Sequence, residues 1–107
     1  MKLTIRKNQV EAEEKTGFLS KWKGIHFILS YRIELTPEEE SLIKKYDLGE
    51  HIIYKKIQDK INRDVVEESR EPWGLYRIEN DVKEDCKNLK DLLDGLSSYS
   101  GEGVIEF

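Results

Sequence analysis

Three side chains in this sequence have the chemistry to act as nucleophile, base or metal ligand: His26, His51 and Cys86. None has the company such work requires. A nucleophile needs a base beside it and a group to orient that base, and a metal needs several converging ligands. Neither histidine stands at a spacing from a carboxylate that suggests a triad or a metal site. Cys86 falls among Val82, Leu89 and Leu93 at helical spacing, where a thiol behaves as a small apolar side chain. No glycine-rich phosphate loop, HExxH or GxSxG occurs. The acidic run Glu38-Glu39-Glu40 follows Thr36-Pro37 and reads as helix capping rather than a cation site. Asp59, Asp64, Glu67 and Glu68 lack a partnering histidine and read as a solvated face. The expectation is a chain without catalytic residues, metal or cofactor.

Two stretches instead have the composition of binding surfaces. Lys15-Thr16-Gly17-Phe18-Leu19-Ser20-Lys21-Trp22-Lys23-Gly24 sets three lysines around two aromatic rings. Rings of this kind fill a partner's pocket or stack on bases while lysines meet negative charge. They also close thin cores by folding back over a sheet, so Phe18 and Trp22 are read either as core or as interface. The second stretch is Pro72-Trp73-Gly74, flanked by Arg70 and Arg77, with the same two readings for Trp73. The candidate partner-binding residues are therefore Lys15, Phe18, Lys21, Trp22, Lys23, Trp73 and Arg77.

Periodicity assigns the elements that would position these residues. Leu3 and Ile5 alternate with Lys2, Thr4 and Arg6, giving a strand over the first ten residues. Residues 11–24 break that alternation and predict a long exposed loop. Ile25, Phe27, Leu29, Tyr31, Ile33 and Leu35 then share one face of a long central strand, with the first strand as its neighbour. Thr36, Pro37 and Glu39 open a helix as cap, first residue and capping-box partner, and Gly49 ends it. HIIYKKI at 51–57 reads as a third strand, and residues 57–68 as a short helix. EESREPWG at 67–74 reads as a loop, and Leu75–Ile78 as a short strand. Asn80 or Asp81 caps a second helix whose apolar face is Val82, Cys86, Leu89, Leu92, Leu93 and Leu96. Val104, Ile105 and Phe107 suggest a last strand. The whole reads as one α+β domain over residues 1–107, a small, mainly antiparallel sheet with two principal helices packed on one face.

The stretches LTPEEESLIKKYDL (35–48), VKEDCKNLKDLL (82–93) and GEGVIEF (101–107) resemble small uncharacterised bacterial proteins. The resemblance implies a bacterial or phage-like origin and assigns no activity or site residue.

Composition bounds the remainder. Leu, Ile, Val and Phe make up 30 of 107 residues, enough for a thin core and well above the disordered range. No apolar run could span a membrane, and Met1–Lys7 lacks a signal peptide's apolar stretch. A cytoplasmic protein is expected. The net charge of −4 divides unevenly: residues 1–32 hold seven Lys/Arg against three Glu, and the rest is acidic. From this follow two functional expectations. The first is a non-catalytic protein-binding or self-associating module, of accessory-subunit or inhibitor type. The alternative is a nucleic-acid or phosphate binder using the basic N-terminal third.

Overall fold

The structure is a computed structural model that describes residues 1–16, 20–99, 104 and 106, with side chains described outside 11–16, 20–25 and 99. Strands β1 (Lys2–Thr16) and β2 (Ser20–Glu34) form one long antiparallel hairpin. Its register runs without a bulge from Lys2↔Glu34 to Thr16↔Ser20. Strand β3 (Asp64–Ser69) pairs antiparallel with β2, but only over Phe27–Arg32, and the strand order is β1-β2-β3.

Alternation along β2 decides where the core lies. Leu29, Tyr31 and Ile33 are buried on one face, joined by the partly buried Leu3, Ile5, Phe27 and Val65. The other face carries Arg6, Ser30, Arg32, Asp64 and Val66 and meets solvent; Val66 is 63% exposed. An antiparallel sheet tolerates one wet face because its helices need to cover only the other.

The helices on the covered face follow from local chemistry. Helix α1 (Pro37–Lys45) opens with both halves of a capping box: the Glu39 N–H donates to the Thr36 hydroxyl at 3.2 Å, and the Thr36 N–H donates to the Glu39 carboxylate at 3.0 Å. It contributes Ile43 to the core. Helix α3 (Pro72–Tyr99) has twenty-eight residues and buries Leu75, Val82, Cys86, Leu89 and Leu93 along one stripe. The α+β class, the antiparallel sheet and the two principal helices are as the sequence suggests.

Several local expectations are corrected. Residues 11–16 and 20–24 are strand, not loop: charged residues at both parities hide the alternation, while cross-strand pairing continues regardless. Residues 51–57 are not a strand. Leu48–Glu50 is a 3-10 turn, α2 (Ile52–Lys55) a single helical turn, and Gln58–Lys60 a second 3-10 turn. Ile57 is fully buried, Ile53 packs against the same core, and Lys55 turns out to meet Glu50 at 2.6 Å. A strand would have put Lys55 on the isoleucines' face. The short helix expected over 57–68 gives way to β3, because Asn62 takes a left-handed backbone (φ 58°) and its N–H donates to the Ile33 carbonyl at 2.7 Å. That turn restarts an alternating pattern, with Val65, Glu67 and Ser69 inward.

The loop at 67–74 and the strand at Leu75–Ile78 are also replaced. Residues 67–69 end β3 and α3 begins at Pro72, eight or nine residues before the expected caps at Asn80 or Asp81. Proline suits a first helical position, where its missing N–H costs nothing. Val104 lies outside any strand, and Ile105 and Phe107 lie outside the described residues.

Candidate interaction surface

Among the described residues, no third strand lies beside β2 beyond Phe27. From Val10 to Thr16 and from Ser20 to His26 the sheet is a two-stranded arm. Seven residues of strand reach about 23 Å from the body. The dimensions of the molecule agree. Its extents are 81 × 23 × 20 Å and its radius of gyration is 20.1 Å, against about 13 Å for a compact domain of this length. A two-stranded ribbon is marginal in water on its own.

At the arm's root the hairpin meets the first turns of α3. Phe27, Ile28, Pro72, Leu75 and Tyr76 line a cleft of about 230 Å³, with Lys7, Gln9 and Glu79 at its polar side. The volume is below the roughly 300–1,000 Å³ of small-molecule sites. Glu79 is 5% exposed and lies on the core stripe of α3. Lys83, one turn on, reaches its Oε1 at 2.9 Å, and Lys7 of β1 reaches the same atom at 3.2 Å. The Lys83 hydrogen bond, opposed by burial and supported by Lys7, holds the Glu79 carboxyl below the usual carboxylate range. The triad ties the arm's base to α3.

Beside the cleft, Trp73 is 71% exposed and Tyr76 is 55% exposed. Three residues apart on a helix, they share one side of α3. Arg77 is exposed on the same helix. Trp73 is thus not a core plug.

The other candidates divide by location. Lys15, Lys21, Trp22 and Lys23 occupy strand positions on the arm, with Lys15 opposite Lys21 and Trp22 opposite Glu14. Phe18 lies outside the described residues. Trp73 and Arg77 belong instead to α3. Sequence reasoning missed Tyr76, assigned to a strand, and the Lys7–Glu79–Lys83 triad. Glu79 at helical spacing between Leu75 and Val82 was the available signal.

The basic N-terminal third does not gather into one surface. Among the residues with described side chains, strand parity sets Lys2, Arg6 and Arg32 opposite in facing to Lys7, which reaches Glu79. Arg32 is held by Glu34 and Asp64, each at 3.2 Å. The residues with potential for chemistry are also placed. Cys86 is buried in the core, and burial, then the Asp85 charge, pushes its thiol pKa up, away from the reactive thiolate. His51 Nδ1 accepts the Ile53 N–H at 3.2 Å and caps α2, while His26 Nδ1 lies 2.9 Å from Glu68 across the open face. Among the described residues, no three His, Cys, Asp or Glu side chains gather as a metal-holding group, and no helix is long and apolar enough to cross a membrane.

No family model, curated protein or solved structure matches the chain.

Proposed function

We propose that this protein is a non-catalytic binding module whose hairpin arm, together with the Trp73–Tyr76 surface at its root, engages another protein chain. The arm carries the reading. Fifteen residues of β1 present an edge that, among the described residues, pairs with no second strand, and no proline or bulge blunts it. Strand addition to such an edge supplies affinity through main-chain hydrogen bonds. Exposed Trp73 adds a side chain of the type that dominates interface energetics. Phosphate-led binding has less support, since the basic residues are split between two faces of an acidic protein and Arg32 is already neutralised.

The test compares the intact chain with one whose residues 10–26 are replaced by an Asn-Gly turn joining Gln9 to Phe27, which are cross-strand partners. The body should fold in both. Only the intact chain should associate, with itself or with a protein captured from a cell extract. Trp73→Ala should weaken that association by about 2 kcal/mol while folding stability changes by less than about 0.5 kcal/mol. Equal capture and equal solution mass for the intact and shortened chains would refute the reading.

A further inference from the structure

We infer that the occupant of the β1 edge is β1 of a second copy, paired antiparallel about a twofold axis at Val10. This rests on the binding reading above and names its partner. Charge along β1 changes sign near that residue: Arg6 and Lys7 lie before it, Glu13 and Glu14 at the matching distances after it, while Glu11 and Lys15 would face neutral Gln9 and Ile5. An antiparallel pairing in which partner positions sum to twenty sets Lys7 opposite Glu13 of the other copy and Arg6 opposite Glu14. Symmetry repeats both, giving four Lys/Arg–Glu pairs across one isologous interface, with Lys7, 60% exposed, shared between Glu79 and Glu13 of the other copy.

Alternative registers lose this match. Moving the axis to residue 9 leaves Lys7 opposite Glu11 and removes the Arg6 pair. Moving it to residue 11 sets Glu11 against itself and Lys7 against Lys15. A shift by an odd number of positions turns the two core faces to opposite sides of the joined sheet. With the axis at Val10, β1-β2-β3 of each copy continue into one six-stranded sheet with both core faces on the same side. The two bodies then lie at opposite ends, because each root sits at the low-numbered end of β1. Each arm runs alongside the other copy's β1, which removes the exposed edge of both.

Two independent experiments on the full chain test this. In the first, Val10→Cys is introduced in a Cys86→Ser background. Position 10 faces its own symmetry mate at a Cα separation of about 4.5–5.5 Å, within disulfide range. Mild oxidation should therefore join the copies through that position. Asn8→Cys and Ala12→Cys should each cross-link poorly alone but efficiently when mixed, since 8 faces 12. Failure of Val10→Cys to cross-link, or equal cross-linking at all three positions alone, overturns the inference.

The second experiment follows mass by sedimentation. The chain should approach twice 12.6 kDa as concentration rises, less readily at high salt. Arg6→Glu alone and Glu14→Arg alone should each weaken the dimer about tenfold, with far-UV circular dichroism unchanged, and the double exchange should restore it. A dimer indifferent to these exchanges overturns the inference, as does a chain that stays monomeric. If a monomeric chain still shows arm-dependent capture of another protein, the self-pairing fails and the binding reading stands. If it shows none, both fail.

Discussion

At the scale of single residues, the most consequential feature is a carboxylate on an apolar stripe. Glu79 is almost fully buried, yet Lys83 and Lys7 both hydrogen-bond it, so removing its charge leaves two ammonium groups with only a neutral acceptor. Both lysines are more than half exposed, and water screens the pairs. Glu79→Gln should therefore cost about 1–2 kcal/mol near neutral pH. The sign of its pH dependence follows from the depressed pKa. A group more acidic when folded than its unfolded value of about 4.3 contributes fully above that value, and the contribution is lost as pH falls through the folded one. Denaturant titrations of the two proteins should thus differ at about pH 6–7 and converge toward about pH 3. A difference that persists unchanged into acid would show that the triad does not act through charge. The capping box of Thr36 and Glu39 and the buried thiol of Cys86 are legible in the sequence because their signals are local. The Glu79 triad is not, since Lys7 lies 72 residues away and nothing local reports their meeting.

At the scale of elements, strong periodicity was readable and mixed signals were not. The apolar stripe from Val82 to Leu96 identifies most of α3, but Pro72 and Gly74 look like loop punctuation when the first helical turns are what they occupy. Four-residue spacing of Ile53 and Ile57 outweighs the β propensity of HIIYKKI, because tertiary burial of Ile57 fixes which side of the chain turns inward. In the arm, Glu11 to Lys15 supply no apolar face, so only the register with β2 shows that they form a strand. Helix α3 also contains an avoidable weakness. Nothing lies within 4 Å of a Cβ built on Gly95, and the residue has no positive-φ requirement. Gly95→Ala should raise stability by about 0.5–1 kcal/mol, seen as an increase of a few degrees in Tm. No change, or a decrease, would mean that the last turns of α3 are not helical in solution.

At the scale of the whole molecule, composition alone gives a thin core, and the fold shows where the remaining chain goes. Described burial is concentrated where α1 and α3 cover β2, while the hairpin continues beyond the end of β3. A long edge that no described strand covers is what the proposed binding reading uses. If the arm is the part that binds, residue-resolved amide hydrogen exchange should show it, comparing dilute protein with protein in its associated state, whether self-associated or loaded with a captured chain. In the dilute state, outward-pointing β1 amides at 10–16 should exchange rapidly, since among the described residues no strand pairs with that edge. On association those amides should gain protection, while amides of α1 and the second half of α3 keep their rates. Protection gained in the body, with the arm exchanging equally fast in both states, would contradict the account.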